Sequence, residues 1–438
     1  MNTMPDNNIK RIHKLLTGGA RVCTDTRKIS QGCIFFALKG ENFNGNKFIN
    51  DALEKGAIAC IADEDSKDQL SDKVIEVPDV LTFLQDLALF HRREFNIPVL
   101  AITGSNGKTT TKELIAAVVA KKYNTLFTKG NLNNHIGVPL TLLELTSAHE
   151  LAVIEMGANH CGEIELLCQI AEPNHVLITN VGMAHIEGFG GIEGVKKGKG
   201  EMYDHARENN AYVFLNSADN DLRSMLGEYP KTISYGGPDD IVNGSAEETG
   251  TGLALKIKIE DHSFEIISRL TGTYNLSNIL AAVCIGHHFK VAEQDLCDAI
   301  TAYIPSNSRS QVIKKGNITI MADMYNANPT SMEAALLNFG KNFAAPKAIF
   351  LGAMHELGNV SGKYHKQIAK VAREQGPEIL VFIGAAFKTC CTPEDLYFHD
   401  TENLQPWLRS QDWNGYSILV KGSRAEKMEN LVHTLVSS

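Results

Sequence analysis

Short, unbroken apolar blocks alternate along the chain with longer stretches whose apolar positions recur every three or four residues. Val99 to Thr103, Leu151 to Met156, His175 to Val181 and Ala211 to Leu215 are of the first kind and predict strands. Lys108 to Tyr123, Gly162 to Ala171 and Ile192 to Asn209 are of the second kind and predict the helices between them. Such alternation predicts a largely parallel sheet covered by helices. Residues 231 to 274 break the rhythm, and Leu253 to Ile259 predicts a small antiparallel excursion there. Leu276 to His287 and Glu293 to Ala302 return to helix. Before Asn96 the texture differs, with a strand-like Cys33 to Leu38 and a helix-like Phe48 to Gly56. Beyond Pro305, strands at Ile318 to Ala322, Ala348 to Leu351, Ile379 to Ile383 and Ser417 to Val420 alternate with helices near Ser331, Gly362, Thr401 and Ala425. They predict a second, smaller α/β sheet.

The chain has 438 residues, and at roughly 150 per domain this suggests about three domains. Pro98 holds Ile97 extended, which suits a linker feeding a strand. The expected units are residues 1–96, 97–305 and 306–438. Apolar residues make up 43% and charged residues 21%, which excludes wholesale disorder and a fibrous rod. A net charge of −9 disfavours nucleic acid and anionic membrane as partners, while leaving room for one basic cleft. No apolar stretch is long enough to span a bilayer, and Met1 to Lys10 is too polar for a signal peptide. The nine cysteines are scattered without C-x-x-C spacing, so a reducing cytoplasm is the expected compartment.

The sharpest chemical signal is Ala101-Ile-Thr-Gly-Ser-Asn-Gly-Lys-Thr-Thr-Thr111, at the junction of a buried strand and a helix. Gly104 and Gly107 let backbone N–H groups of the Ser105-Asn106 turn crowd around phosphate oxygens, and the helix N-terminus adds positive potential. Lys108 is placed for the terminal phosphates, and Thr109, followed by Thr110, offers a hydroxyl to Mg²⁺. The pattern is the shorter G-x-x-G-K-T form, since Ile102 stands where the longer form has its first glycine. The loop predicts ATP binding but leaves a kinase, a motor and a nucleotide-gated regulator open.

Further motifs follow in order: Gly130-Asn-Leu-Asn-Asn-His-Ile-Gly-Val-Pro139, Glu155-Met-Gly-Ala158, Thr179-Asn-Val-Gly-Met-Ala-His185 and Lys196-Lys-Gly-Lys-Gly-Glu201. With the loop they resemble the Mur ligase family. Asp323-Met-Tyr-Asn-Ala-Asn-Pro329, Leu351-Gly-Ala-Met-His-Glu-Leu-Gly358 and Val420-Lys-Gly-Ser-Arg424 narrow the resemblance to its dipeptide-adding branch, and Thr24-Asp-Thr-Arg27 and Phe35-Phe-Ala-Leu-Lys-Gly40 extend it to the first segment. The resemblance implies a UDP-sugar-binding first domain, a central parallel-sheet P-loop ATPase-like domain and a Rossmann-like C-terminal domain. It implies ligation of D-alanyl-D-alanine to UDP-N-acetylmuramoyl-tripeptide through an acyl phosphate, in peptidoglycan precursor synthesis. A monomer is the expected state. The nearest rivals are the ligase adding the third amino acid and the folate polyglutamating enzyme; a regulator that lost catalysis is a rival of another class.

The resemblance also implies roles for single residues. Glu155 and Thr109 would ligate one Mg²⁺, and His185 and a carbamylated Lys199 a second. Read alone, Glu155 is a strand-end carboxylate, His185 a polar loop residue, and the lysines 196, 197 and 199 the solvated face of a helix. Asn275 and Asn278 would hold the adenine and ribose region, although a helix cap explains Asn275 equally well. Arg309 would approach the phosphates and Asp323 the ribose. Asn134, Asn326, Asn328 and Lys421 would position the tripeptide or the dipeptide. Thr26, Arg27, Lys39 and Gly40 would hold the uridine diphosphate end, the arginine fork suiting a diphosphate. Two places depart from the family pattern: Ala353 stands where an acid is usual, and Asn44-Gly-Asn-Lys47 where an Asp-Gly-His-like element is usual.

Overall fold

A computed structural model of the chain describes residues 7–64, 72–249, 252–305 and 309–437. The junction expected at 305/306, Ser308 and the first six residues of the polar N-terminus lie outside the described residues. The fold is α/β with a large, parallel-dominated sheet. By contact the chain divides into two compact units. One comprises Met1–Ala101, Tyr123–Gly157 and Glu163–His175, and the other Ile102–Lys122, Ala158–Gly162 and Val176–Ser438.

The first unit opens with a helix, Asn7–Thr17, and a four-stranded parallel sheet in the order Val22–Cys23, Ile34–Phe36, Ala59–Ala62, Val74–Glu76. Phe35, Ala37, Ile49, Ala52 and Cys60 pack into one cluster on it. The expected helix at Phe48 to Gly56 is a 3₁₀ turn, Gly45–Phe48, leading into the helix Ile49–Glu54. The pattern of apolar runs did not announce the long helix Val80–Arg93, whose first turn is capped by Asp79 accepting from Thr82 N at 2.6 Å. Its buried Arg92 donates to the carbonyls of Ala171 and Phe95 at 3.0 and 2.7 Å. Later in the same unit Thr125–Phe127 pairs in parallel with Leu151–Glu155.

In the second unit Tyr212–Asn216 pairs in parallel with Thr232–Tyr235. The expected antiparallel excursion follows as a meander, Val242–Thr249, Gly252–Ile259 and His262–Ser268. Helix Leu276–His288 lies against helix Lys108–Val119, and Gly286 permits a close approach: a Cβ there would stand 2.3 Å from Leu296 Cδ2 and 2.5 Å from Val118 Cγ1. The second sheet has six strands in the order Gln311–Lys315, Ile318–Asp323, Ser417–Lys421, Lys347–Gly352, Ile379–Ile383, Leu396–Phe398, all parallel except the first. Met321, Ile349, Leu351, Phe382 and Leu419 face helices Pro329–Asn342 and Ser361–Glu374. Ile320, Phe350, Val381, Ile418 and Val420 face helices Thr401–Ser410 and Glu429–Ser437. Burial on both faces is why these strands read as unbroken apolar runs. The helix expected near Ala425 begins instead at Glu429, because Lys427 takes a left-handed backbone (φ 51°) after a 3₁₀ turn. The edge strand Gln311–Lys315, with only Val312 and Ile313 apolar, was too short a run to be announced.

Phe350→Ala should remove a fully buried ring from this sheet and cost about 3–5 kcal/mol, read as a lowered midpoint in denaturant unfolding. A loss below about 1 kcal/mol would mean the face is not packed as described.

Candidate active site

The second unit carries the phosphate loop. The buried strand Val99–Thr103 runs into Gly104 (φ 143°), and Gly107 (φ 78°) caps helix Lys108–Val119. Both glycines are required by space as well as conformation. A Cβ on Gly104 would stand 2.0 Å from Thr179 Oγ1, and one on Gly107 2.7 Å from Asn278 Oδ1. The loop is held by the segment after strand His175–Ile178. Asn106 N donates to Asn180 Oδ1 at 3.0 Å, and Thr179 Oγ1 and Asn180 Nδ2 donate to Asn106 O at 2.7 and 3.0 Å. Ser105 Oγ bonds the backbone of Gly182 in both directions. Lys108 Nζ donates to the carbonyls of Gly104 and Ser105 at 2.6 and 3.2 Å, so its ammonium folds back over the loop. Thr109 is buried in the first helical turn and Thr110 half-buried beside it. Asn278 accepts from Thr111 Oγ1 at 3.0 Å and donates to Asn275 Oδ1 at 2.8 Å, while Asn275 donates to Thr271 O. The two asparagines thus brace the loop's helix.

One residue from beyond the expected 305/306 junction reaches the same loop. Asn328 caps helix Pro329–Asn342 in a reciprocal box with Ser331, and its Nδ2 donates to Asn106 Oδ1 at 2.7 Å. Asn326 is exposed, and its Oδ1 accepts from Ala327 N at 2.8 Å. Asp323 and Lys421 end adjacent strands in register, and Lys421 Nζ, 1% exposed, meets Asp323 Oδ2 at 2.7 Å. The Arg309 guanidinium lies 3.8 Å above the Tyr325 ring. His185 has a left-handed backbone (φ 54°), and its Nδ1 lies 2.5 Å from Glu356 Oε2, a contact that holds the Glu356 carboxyl below its ordinary range. Lys199 overturns the solvated-face reading. It is 1% exposed, donates to Ala158 O at 3.2 Å and lies 5.2 Å from the Phe189 ring centre. Lys196 is the surface residue, paired with Asp221 at 2.8 Å.

The first unit places its own candidates. Glu155 ends strand Leu151–Glu155 fully inside the protein, accepting from Asn133 Nδ2 at 2.8 Å, with its backbone N–H on Thr128 Oγ1. Burial excludes the reading of a solvent-facing strand end. Asn134 accepts from the N–H groups of Ile136 and Gly137, which makes it the turn that starts helix Gly137–Leu142. Thr26 and Arg27 sit in a 3₁₀ turn, and Arg27, 87% exposed, forks onto Asp25. That hydrogen bond lowers the Asp25 carboxyl to about 2. Lys39 and Gly40 form an exposed hairpin strand paired with Phe43–Asn44, and Lys39 bonds Asp63 and Glu64 at 2.9 and 3.1 Å.

Three consecutive stretches match family models: residues 20–92 the Mur ligase family catalytic domain, 102–286 the Mur ligase middle domain and 308–405 the Mur ligase glutamate ligase domain. The UDP-N-acetylmuramoyl-tripeptide–D-alanyl-D-alanine ligase of Bacillus subtilis is 33% identical, over 95% of this chain and 93% of the relative. The chain belongs to the Mur ligase family. MurF from Acinetobacter baumannii superposes with a TM-score of 0.86 at 29% identity, covering 95% of this chain and 93% of that one. MurF ligase from Thermotoga maritima, solved with ADP, gives 0.86 at 28% identity over 97% and 98%.

Sequence reading of this Mur ligase placed Thr179, Asn180 and Gly182 in the motif that ends at His185 but gave them no role; in the structure they fix the phosphate loop. Tyr325 stacks on Arg309 with no signal beyond its place in a motif. His365, fully buried, accepts from Met354 N at 3.0 Å through Nε2, while its Nδ1 bonds Ser361 O at 2.8 Å. It therefore carries its single proton on Nδ1, and burial, which lowers its pKa, maintains that neutral form. Nothing in the pattern separates it from other histidines on an amphipathic helix.

Gly104→Ala should abolish ADP binding in titration calorimetry, because the added methyl cannot coexist with Thr179 Oγ1. Near-normal affinity would refute the packing of the loop.

Proposed function

We infer that this Mur ligase adds D-alanyl-D-alanine to UDP-N-acetylmuramoyl-tripeptide at the expense of ATP, through an acyl phosphate. The observation that carries the reading is the meeting, within one compact unit, of the phosphate loop and the loops around Asn328 and Glu356. A nucleotide-binding regulator has no use for the second set. The relatives at 28–33% identity over nearly the whole chain act in the direction this arrangement suggests. The domain limits 1–96, 97–305 and 306–438 are proposed with it, supported by three family matches in that order. A cytoplasmic site of action accords with the free state of all nine cysteines. Among the described residues no helix is long and apolar enough to cross a membrane.

Activation of a carboxylate brings several anions together, and the chain's part is to hold them and balance their charge. Lys108 exchanges its loop carbonyls for the terminal phosphates. Arg309, its face stacked on Tyr325, keeps the edge of its fork free for phosphate oxygens. Asp323, fixed by Lys421, meets the ribose. Among the described residues no three His, Cys, Asp or Glu side chains converge on one point. For Mg²⁺, the Thr109 hydroxyl and the Glu155 carboxylate are each proposed as a donor, both offering the hard oxygen that this ion prefers. His185 and Lys199 are proposed for a second ion, which when bound would neutralise developing charge. Carbamylation is proposed for Lys199, a buried amine on helix Ile192–Asn209; the amine would react with CO₂ only after losing its proton.

The test is ligation of the two precursors by purified enzyme with ATP and Mg²⁺, followed by mass analysis. Product is expected with D-alanyl-D-alanine, and product only with a single amino acid would overturn the reading. Lys108→Ala should lower turnover by at least about 10²-fold. Lys199→Ala should be inactive and regain part of its activity with short carboxylic acids, while an unmodified Lys199 in active, metal-bound crystals would refute the carbamate.

A further inference from the structure

The chain order of the six-stranded sheet reverses at one place: strand Ser417–Lys421, the last in sequence, lies between Ile318–Asp323 and Lys347–Gly352. Ligands of open α/β sheets sit beyond the carboxyl ends of the strands at such a point. Here glycines thin that edge. Gly352, Gly384 and Gly422 end or follow three of the strands, and a Cβ on Gly352 would stand 3.2 Å from Gly422 Cα. A cavity of about 520 Å³ opens there, lined in part by Ala353, His355, Glu356, Gly384, Asp400 and Glu426. It is spacious for a dipeptide of two alanines, and its charged lining is acidic.

We propose that this cavity receives the ammonium group of the incoming dipeptide, with Glu426 as its counter-charge. The proposal rests on the ligase reading and names a residue that reading did not. The Glu426 side chain is only 13% exposed. Its Oε1 is taken by His355 Nε2 at 2.8 Å, and among the described residues Oε2 has no hydrogen-bond partner. A largely buried carboxylate with one uncommitted oxygen, facing a cavity, wants a cationic donor. The lysine at the end of the neighbouring strand is spent, since Lys421 is held by Asp323. Ala353 brings no charge, and both Glu426 oxygens lie 3.1 Å from where a Cβ on Gly384 would stand, next to Ala353 Cβ at 2.8 Å. Glu426 is thus the acid at the floor. The cavity also lies beside the proposed site of chemistry, because Glu356 lines it and touches His185.

Glu426→Gln keeps the shape and removes the charge. The Michaelis constant for D-alanyl-D-alanine should rise by about ten-fold or more, with those for ATP and the UDP-tripeptide unchanged. Hydroxylamine, a small neutral nucleophile that needs no ammonium seat, should trap the activated carboxyl as hydroxamate at the wild-type rate. An unchanged dipeptide constant with normal hydroxamate formation would overturn the proposal alone. If wild-type enzyme forms no hydroxamate from the UDP-tripeptide and ATP, the ligase reading fails, and the proposal with it. Should Glu426→Gln lose hydroxamate formation through misfolding, Glu426→Asp decides: a raised dipeptide constant supports the seat and an unchanged one removes it.

Discussion

Close packing of Gly104 against Thr179 is the contact on which the site depends. Because no side chain intervenes, the loop backbone comes within hydrogen-bonding reach of the segment after strand His175–Ile178, and Asn180 takes both the N–H and the C=O of Asn106. With its backbone fixed there, Asn106 is left with a side-chain oxygen for Asn328. One steric allowance therefore aligns a phosphate cradle and anchors a helix that begins more than two hundred residues later. The glycine and its neighbours form a single device.

A second theme is the placement of positive charge. Lys112, Lys199 and Lys421 are almost fully buried, which a chain accepts only where each ammonium finds oxygen or gives up its charge. Lys421 finds Asp323, and Lys199 finds the carbonyl of Ala158. Lys196, on the same helix as Lys199, remains at the surface with Asp221. Three lysines within four positions thus divide between a surface pair and a buried amine according to helix phase.

The acidic cavity at the end of the second sheet complements this arrangement. Anionic phosphates and the cationic amine of a dipeptide need opposite surroundings. Lys108 stands in the phosphate loop and Lys421 at a strand end, while Glu356, Asp400 and Glu426 line the cavity where glycines open the edge of the six-stranded sheet. The separation lets one compact unit host both kinds of charge.

Sequence determined which segments are strands and helices wherever burial was two-sided or strongly periodic. Val99–Thr103, Ile192–Asn209, Glu293–Ala302 and Ile379–Ile383 have the expected bounds, since those patterns are made by the layers that cover them. The phosphate loop was legible because its function requires glycines at fixed spacing. Helix Val80–Arg93 and the strand Gln311–Lys315 were not, one lying in a segment read for short strands and the other an edge strand with only Val312 and Ile313 apolar. Tertiary structure alone decided which lysine is buried, which carboxylate keeps an oxygen uncommitted, and which asparagines brace the phosphate loop. Those outcomes depend on distances between segments far apart in the chain, and a pattern of local periodicities holds no record of such distances.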